Sequence, residues 1–500
     1  MKYLVSAAEM RLYDSNTIEK IGIPACVLME RAALAAAETA YAHCKTAGAH
    51  VLVMAGMGNN GGDALAAARL LTEKGCRVEV WCVGDRQKAS VQWVRQMEIL
   101  EKYPVEFTET PGRQEYDVLL DGLFGVGLSR EVSGAYAGAV ECFNRLPGWK
   151  LALDLPSGVD SDTGKIWGCA VKADATVTFG FCKKGLVMYP GCEAAGEILT
   201  ADIGISDLGF FGQEPEMFAY DEEVSVLMPK RDPGGNKATF GKLLLTAGSL
   251  NMAGAAVLAA RAAYRTGAGM VKVITSPENR SILQQSVPEA LLGNAESLKE
   301  SLEWADILAI GPGLGKDKAA LFCLDKMIRE GRKPLLADAD GLNLLAQNRE
   351  LGNLLAAQGG KGRDIILTPH VKELAGLLGK STAECKSDLP SAGRALARAF
   401  HAVVAAKDAR TYICGEEGAV CMNLNGNSGM ATAGSGDVLA GIIAGLMAQG
   451  MRGFNAASVG VYLHARAGDL AAARKGEYAC MAGDIAENIA LAARRDQIPW

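Results

Sequence analysis

The amino-acid sequence predicts an α/β protein of two domains, each with a mostly parallel sheet covered by helices. Its 500 residues exceed the size of one ordinary domain. Short apolar runs alternate with helical patterns, which is typical of parallel sheets buried on both faces. The alternation stops between about residues 205 and 242, where Pro, Gly and charged residues follow no helical period. We therefore predict a boundary near residue 220, between domains at 1–220 and 221–500.

The first domain is predicted to open with two helices and to continue as alternating strands and helices. Ser6 and Glu9 form a capping-box pattern at the start of the first helix. A second, alanine-rich helix is expected over residues 24–42, and a later helix over residues 63–75. Strands are expected at residues 50–56, 76–84, 116–125, 150–158 and 174–181.

The second domain repeats this alternation. Its first strand is expected over residues 241–249 and its first helix over residues 252–269. The chain is predicted to close with helices at 437–450, 454–474 and 482–494. In open α/β sheets, ligands bind outside the carboxyl ends of the strands, and the polar motifs of both domains follow predicted strands.

Composition narrows the classes of function. The chain is 49% hydrophobic and 22% charged, as in globular proteins, and a net charge of −6 indicates no general affinity for nucleic acid or anionic membranes. The first residues lack the apolar core of a signal peptide, and no apolar run is long enough to span a bilayer. The 13 cysteines include no CxxC pair and the five histidines do not cluster. We therefore expect a cytoplasmic protein with reduced thiols.

The segment GMGNNGGDA follows a predicted strand and precedes a predicted helix. Gly56, Gly58 and Gly61 satisfy the GxGxxG pattern of a Rossmann-like dinucleotide loop, and Glu79 lies at the spacing for a ribose contact. A tight turn without a ligand is the alternative explanation. Asp63 argues against an ordinary NAD site, because it places a negative charge where a pyrophosphate would rest.

Three oxygen-bearing side chains are expected at the same edge of the first sheet. Asn60 follows one strand, Asp121 ends a second, and Ser157 follows a third. An amide, a carboxylate and a hydroxyl suit a hard cation. Acids at strand ends are also often caps, which is the competing interpretation.

The motifs GNNGGDA, GVGLSREVSG and DLPSGVDSDTG, in this order, resemble the epimerase domain of the NAD(P)H-hydrate repair enzymes. The resemblance implies a potassium ion at Asn60, Asp121 and Ser157. Ala64 stands where many members have glycine, and we expect little effect from it. The residues implied to bind the hydrated nucleotide are Asn59, Asn60, Gly61, Gly62, Asp63, Gly125, Val126, Gly127, Leu128, Ser129, Arg130, Glu131 and Asp154.

Asp154 is the candidate proton carrier of this domain. In the hydrate, C6 of the ring bears a hydroxyl beside the ring nitrogen, whose lone pair weakens the C–O bond. The centre can therefore invert with modest acid–base help. A purely binding role for Asp154 is the alternative.

A second glycine-rich segment, Gly434-Ser435-Gly436, precedes an apolar helix. Glycines expose backbone N–H groups, and a helix N-terminus adds unpaired donors and partial positive charge, so an anion such as phosphate fits there. Asp437 follows directly. It is either the helix N-cap or a catalytic base beside a phosphate site.

Five motifs of the second half occur in one order: KATFGKLLLTAGSLNMAGAAVLAARAAYRTGAGMVKV, AIGPGLG, DADGLNLL, LTPHVKEL and GNSGMATAGSGDVLAG. They resemble the dehydratase domain of the same repair enzymes, which has a ribokinase-like fold. With the first half, the resemblance covers roughly residues 6–495. It implies that Asp437 is the base and that Gly434 to Gly436 stabilise developing phosphate charge.

The resemblance also implies Mg²⁺ and ADP as partners of the second domain, and NADHX and NADPHX as substrates. We expect a homo-oligomer. Asp408 departs from the family pattern, because glycine is expected after Lys407. The residues implied to bind the hydrate are Ala255, Gly313, Gly315, His370 and Asp437. Those implied to bind the nucleotide are Lys407, Asp408, Ala409, Arg410, Thr411 and Gly436.

Three other functions compete with repair. A ribokinase-like small-molecule kinase, fused to a nucleotide-binding scaffold domain, would use Asp437 equally well. A non-enzymatic scaffold is disfavoured by the intact residues Asn60, Asp121, Asp154 and Ser157. A Rossmann dehydrogenase is disfavoured by Asp63 and by the lack of an evident hydride-acceptor site.

Overall fold

The computed structural model describes residues 1–46 and 48–494. The described chain forms two compact units: one is Lys2–Met217, and the other is Met1 together with the residues from Phe218 onward. Strand β10 (Met217–Ala219) spans the division. Within the described ranges, no helix combines the length and apolar character needed to cross a bilayer.

The first unit contains a seven-stranded parallel sheet with the order β4-β3-β2-β5-β6-β7-β9, and a separate parallel pairing of β1 with β8. Its strands are β1 (Lys2–Val5), β2 (His50–Ala55), β3 (Arg77–Cys82), β4 (Glu106–Thr108), β5 (Val118–Gly122), β6 (Trp149–Leu153), β7 (Ala175–Phe179), β8 (Cys182–Lys183) and β9 (Glu197–Ala201). Its helices are α1 (Ala7–Asn16), α2 (Ala25–Ala42), α3 (Asn59–Glu73), α4 (Val91–Leu100), α5 (Ala135–Arg145), α6 (Lys184–Val187) and α7 (Gly191–Ala195). Shorter turns are a π-helix at Thr17–Ile21 and 3-10 turns at Arg86–Lys88 and Asp207–Phe210.

The second unit orders its strands β13-β12-β11-β14-β15-β16-β17-β18-β19, parallel as far as β17 and antiparallel from β17 to β19. The strands are β11 (Lys242–Thr246), β12 (Met270–Ile274), β13 (Leu291–Gly293), β14 (Ile307–Ile310), β15 (Leu335–Ala337), β16 (Ile365–Leu367), β17 (Val403–Ala406), β18 (Tyr412–Cys414) and β19 (Val420–Met422). The helices are α8 (Ala253–Thr266), α9 (Arg280–Ser286), α10 (Leu298–Trp304), α11 (Lys318–Arg329), α12 (Ala339–Gln347), α13 (Arg349–Gly359), α14 (Val371–Leu378), α15 (Thr382–Ser387), α16 (Leu389–Phe400), α17 (Ser435–Ala448), α18 (Gly453–Lys475) and α19 (Ala482–Ala492). The 3-10 turns are Glu222–Leu227, Pro277–Asn279, Ala295–Ser297, Ser428–Met430 and Glu477–Ala479.

The predicted α/β fold class is confirmed: a unit with a parallel sheet is followed by a second α/β unit whose sheet is mostly parallel. The capping box of Ser6 and Glu9 is present at the start of α1. In the second unit, α17 packs closely on α8, because a Cβ atom at Gly441 would lie 2.2 Å from the carbonyl oxygen of Ala259. The absence of a side chain there lets the two helix backbones approach each other.

The strand predicted at residues 150–158 ends at Leu153, and the predicted start of α3 is also wrong. Helix α3 begins at Asn59 rather than at residue 63, so the NNGGD segment forms its first turns instead of a loop. The cause is a close backbone approach: a Cβ atom at Gly61 would lie 1.8 Å from the carbonyl oxygen of Gly56. Gly61 is therefore required for helix packing against the preceding turn, whether or not a ligand is bound.

Candidate functional site

The three predicted oxygen donors lie together at the carboxyl ends of β5 and β6. Asp121 is fully buried and accepts hydrogen bonds from the backbone N–H of Ser157 at 2.7 Å and from Ser157 Oγ at 2.6 Å. Ser157 Oγ accepts from the N–H of Phe124 at 2.8 Å. Asn60 Nδ2 donates to the carbonyls of Phe124 at 3.0 Å and Leu153 at 3.1 Å. The sequence prediction that these residues converge is therefore realised in the geometry.

Two features of this cluster fit a hard cation. Asn60 Oδ1 is buried and has no hydrogen-bond partner among the described residues. The carboxylate of Asp121 has no ion-pair partner in the described part of the chain, and burial raises its pKa to about 6. A buried carboxylate without a counter-charge and an unpartnered buried oxygen are both unfavourable. A cation bound by oxygen ligands would relieve both costs.

Asp154 lies directly after β6, beside the predicted hydrate loop. Its φ angle of +67° is in the left-handed region that non-glycine residues seldom adopt. Its Oδ1 atom accepts a hydrogen bond from Lys183 Nζ at 2.5 Å. Its Oδ2 atom faces Gly125, because a Cβ atom placed on Gly125 would lie 3.3 Å from it. One carboxylate oxygen is thus anchored and the other points towards the loop.

Two further carboxyl groups feel the charge of the same lysine. Burial, and then the negative charge of Asp154, raise the pKa of Asp63 well above its ordinary value. Burial also raises the pKa of Asp14, and in both cases Lys183 opposes the shift. Lys183 itself forms an ion pair with Asp154, so this pair lies beside both of the other carboxyl groups.

The remaining residues predicted for this site separate into two groups. Asn59 to Asp63 occupy the first turns of α3. The stretch Gly125 to Glu131 forms the coil between β5 and α5, and its residues are partly or fully exposed. Glu79 is different. It is buried and accepts hydrogen bonds from Tyr116 Oη at 2.7 Å and from the N–H of Gly112 at 2.6 Å. The ribose contact suggested by its spacing is therefore wrong.

The second site is centred on the start of α17. Gly434 is the N-cap residue, at a φ angle of +92°, and Asp437 lies within the first turn. The N-cap interpretation of Asp437 is therefore wrong. Burial, followed by the charge of Asp338, raises the pKa of Asp437 to about 6, and Lys407 opposes this shift.

Lys407 joins Asp338 to the beginning of α17. Its Nζ atom donates to Asp338 Oδ1 at 2.8 Å, and Thr368 Oγ1 donates to the same oxygen at 2.8 Å. A Cβ atom at Gly436 would lie 3.5 Å from Lys407 Nζ, so the ammonium group lies over the first turn of α17. A lysine charge and a helix N-terminus together suit a phosphate group.

The residues predicted to hold the hydrate follow β14 and β16 or begin α8. A Cβ atom at Gly313 would lie 2.7 Å from Ala255 Cβ, which shows that these two predicted residues meet. The N–H of Gly315 donates to Asp340 Oδ2 at 2.9 Å. His370 is the N-cap of α14, where its Nδ1 atom accepts from the N–H of Glu373 at 3.2 Å, and its side chain stays 52% exposed.

Of the predicted nucleotide residues, Lys407 to Thr411 form the turn between β17 and β18, and Gly436 lies in the first turn of α17. Asp408 and Ala409 are exposed. Arg410 Nη1 donates to the carbonyl of Leu424 at 2.8 Å, and the carbonyl of Thr411 accepts from the N–H of Asn423 at 2.9 Å. Lys407 Nζ, at the start of this turn, lies beside Gly436, and Asp408 is exposed to solvent.

Comparisons with known proteins agree with this two-site arrangement. The model of the YjeF-related protein N-terminus matches residues 25–185, and the model of NAD(P)H-hydrate dehydratase matches residues 243–491. The bifunctional NAD(P)H-hydrate repair enzyme Nnr of Moorella thermoacetica is 36% identical over 512 residues, covering 97% of this chain and 95% of that protein. This chain belongs to the bifunctional NAD(P)H-hydrate repair enzyme family.

Other members of the repair-enzyme family show similar coverage. The Escherichia coli enzyme is 33% identical over 96% of this chain and 92% of its own length, and the Leishmania infantum enzyme is 31% identical over 95% and 90%. Among solved structures, the ADP/ATP-dependent NAD(P)H-hydrate dehydratase from Bacillus subtilis, co-crystallised with ATP/Mg²⁺, is 27% identical. It covers 55% of this chain and 96% of its own, with a TM-score of 0.48.

Sequence reasoning missed three residues of these repair-enzyme sites. Lys183 is the last residue of the short strand β8, and a lysine that follows a long apolar run was the available signal. Asp338 lies in the quoted motif DADGLNLL but was given no role. His464 is buried in α18, with Nε2 3.1 Å from Ser435 Oγ, and burial lowers its pKa to about 4. No local pattern connects His464 to the glycine-rich segment.

Proposed function

We propose that this protein repairs hydrated NADH and NADPH. Residues 1–220 interconvert the R and S hydrates, and residues 221–500 dehydrate the S form with ADP, giving NAD(P)H, AMP and phosphate. The observation that carries the proposal is Asp437, which lies in the first turn of a glycine-capped helix under the ammonium group of Lys407. This geometry combines a base with a phosphate site.

In the dehydration, Asp437 takes the proton from the C6 hydroxyl. The resulting oxygen attacks the β-phosphorus of ADP, and AMP leaves. The N–H groups of Gly434 to Gly436 and the charge of Lys407 stabilise the negative charge of the transferred phosphate. The C6–O bond of the phosphate ester then breaks, and the departing phosphate takes the C5 proton, which restores the ring double bond. A pKa near 6 leaves Asp437 ionised, and therefore able to accept the proton, at neutral pH.

In the epimerisation, the lone pair of the ring nitrogen expels the C6 hydroxyl. Asp63, whose raised pKa favours the protonated form, supplies the proton with which the hydroxyl leaves as water. Another water adds to the opposite face of the planar C6, and the Asp154 carboxylate accepts its proton. Transfer of that proton from Asp154 to Asp63 returns the site to its starting state.

Two ions belong to this proposal. Asn60, Asp121 and Ser157 would hold K⁺, which supplies the positive charge that the buried Asp121 carboxylate lacks. Mg²⁺ would enter with the diphosphate, because it usually binds through substrate phosphates and few carboxylates. Asp340, 24% exposed, is a carboxylate of the second site that could share it. The homo-oligomeric state and the cytoplasmic location stay predictions of the sequence.

A small-molecule kinase is the competing function, and product analysis separates the two. The full-length protein is incubated with mixed hydrate epimers, ADP, Mg²⁺ and K⁺, while absorbance at the reduced-nicotinamide band is followed. Repair predicts full recovery of NAD(P)H with one AMP and one phosphate per turnover. A stable phosphate ester without recovery of absorbance would contradict repair and favour the kinase.

A further inference from the structure

We propose that Lys183 is a positioning residue for epimerisation: it holds Oδ1 of Asp154 so that Oδ2 is the oxygen that exchanges protons at C6 of the hydrate. The inference rests on the proposed function of the first domain. It goes beyond that function because Lys183 lies in none of the motifs that identify the epimerase domain.

The position of Lys183 is fixed by the strand that carries it. Strand β8 pairs in parallel with β1, and Val5 lies opposite Lys183 in that ladder. Val5 is fully buried and Lys183 is 1% exposed, so the ammonium group is held inside the unit and away from solvent. A buried ammonium group is costly unless it is fully hydrogen-bonded and paired with an opposite charge.

Lys183 meets both requirements, and only one of its partners is charged. Its Nζ atom donates to Asp154 Oδ1 at 2.5 Å, to the carbonyl of Phe179 at 2.8 Å and to Thr178 Oγ1 at 3.1 Å. An ammonium group has three N–H donors, and three acceptors occupy them. The direction of the Lys183–Asp154 hydrogen bond is therefore set by two uncharged acceptors on β7: Thr178 Oγ1 and the carbonyl of Phe179, the last residue of that strand.

The second carboxylate oxygen of Asp154 lies on the side away from Lys183. Oδ2 faces Gly125, at the start of the loop predicted to bind the hydrate, while Oδ1 faces the buried lysine. The φ angle of Asp154 is +67°, a left-handed conformation that is strained in a non-glycine residue, and this conformation sets the direction of its side chain. The ion pair compensates for this strain, and it leaves a single oxygen available on the ligand side.

Charge supports the same assignment. Asp14 and Asp63 also feel the positive charge of Lys183, which opposes the rise that burial causes in their pKa values. Among the described residues, the ion pair that Lys183 forms is with Asp154, at 2.5 Å, so its positive charge is balanced chiefly by Asp154. Lys183 does not lie on the ligand side of the carboxylate, so it should affect turnover through Asp154 and leave hydrate affinity nearly unchanged.

The test uses full-length wild-type protein and the variants Lys183→Met, Lys183→Gln and Lys184→Met. Epimerisation of purified R-hydrate is followed without nucleotide, and kcat and KM are determined separately. Both Lys183 variants should lower kcat by at least ~10-fold and up to ~100-fold, the scale for misplacing a catalytic group by about 1 Å. The KM should stay within ~3-fold, because the ground-state contacts are kept.

Lys184→Met is the matched control, since Lys184 Nζ lies 3.4 Å from Glu9 Oε2 and, within the described part of the chain, forms no hydrogen bond or ion pair with Asp154. It should keep the wild-type kcat. The ADP-dependent dehydration rate and the melting temperature are measured on the same samples. A kcat within ~3-fold of wild type in either folded Lys183 variant, or a rise in KM without a fall in kcat, would overturn the inference.

A loss of activity caused by misfolding is distinguished from a loss of positioning by the second variant, Lys183→Gln, and by the dehydration rate. Gln keeps two N–H donors without a charge, so Lys183→Gln is the arm that decides the question if the methionine variant does not fold. If both variants lose all folded protein, Lys183 is a structural residue and the inference fails. Absence of epimerisation by the wild-type protein would instead contradict the proposed function.

Discussion

The two proposed sites each bring an aspartate close to a lysine, yet the hydrogen bonds differ. In the first site, Lys183 Nζ lies 2.5 Å from Asp154 itself. In the second, Lys407 Nζ lies 2.8 Å from Asp338, and burial raises the pKa of Asp437 to about 6. Among the described residues, Asp437 has no ion-pair partner. The lysine thus orients the aspartate in one site, and in the other it only moderates the proton affinity of the aspartate.

The largest effect is expected from Asp437→Asn, which tests the contrast between the two sites. If Asp437 is the base, the ADP-dependent rate on S-hydrate should fall by at least ~100-fold, the usual scale for loss of a positioned base. Epimerisation by the same protein should be unchanged. The measurement is the initial rate at saturating ADP, with Asp317→Asn as a matched control, because Asp317 caps α11 and Asn caps equally well.

Stability gives a second measure of the same variant. Because burial raises the pKa of Asp437 from 3.8 to about 6, the folded chain holds the proton more tightly than the unfolded chain. Asp437 therefore reduces stability as the pH rises through this interval. Asp437→Asn should leave the melting temperature at pH 8 unchanged or higher. A clear fall in melting temperature would point to a structural role.

The next largest effect is expected from Asp121→Ala. Loss of the carboxylate removes a proposed K⁺ ligand and the acceptor of two Ser157 hydrogen bonds. Hydrate affinity at the first site should fall by at least ~10-fold, the lower end of losses at perturbed metal sites. The dehydration rate on pure S-hydrate serves as the internal control. Equal losses in both activities would contradict an ion site.

Lys407→Met tests whether the second lysine tunes Asp437. Asp338 and Asp340 face Asp437 with negative charge, and Lys407 is the cation that lowers its pKa. Without Lys407, Asp437 should need a higher pH to lose its proton. The acid limb of kcat for dehydration, measured at saturating ADP, should move up by about one pH unit. An acid limb at the wild-type pH would show that Lys407 acts on the nucleotide alone.

The smallest effect is expected from Asp408→Gly. Asp408 is exposed beside the proposed nucleotide turn, so its charge repels phosphate only weakly. The KM for ADP should fall by roughly 2- to 3-fold, the scale of exposed charge pairs, and the difference should fade at high salt. An increase in KM would mean that Asp408 contacts the nucleotide favourably.

Local patterns predicted the fold and the polar edge of each sheet, whereas pairings between distant residues were not accessible. Alternating apolar runs identified most strands, and the motifs identified Asp121, Asp154 and Asp437. The start of α3 was missed because the packing of Gly61 against Gly56 depends on the folded backbone. The Lys183–Asp154 pair joins residues 29 apart, and the Lys407–Asp338 pair joins residues 69 apart. No periodicity specifies such contacts.

The left-handed backbone of Asp154 has an evolutionary consequence. Such a conformation costs about 1–3 kcal/mol in a non-glycine residue, so selection for stability alone would favour glycine at this position. Yet Asp154→Gly would leave the buried Lys183 ammonium group without its carboxylate partner, and breaking a buried ion pair costs about 3–5 kcal/mol. A lineage could therefore abandon the aspartate only by changing both residues. Drift away from this chemistry must cross an intermediate that is less stable than either end point.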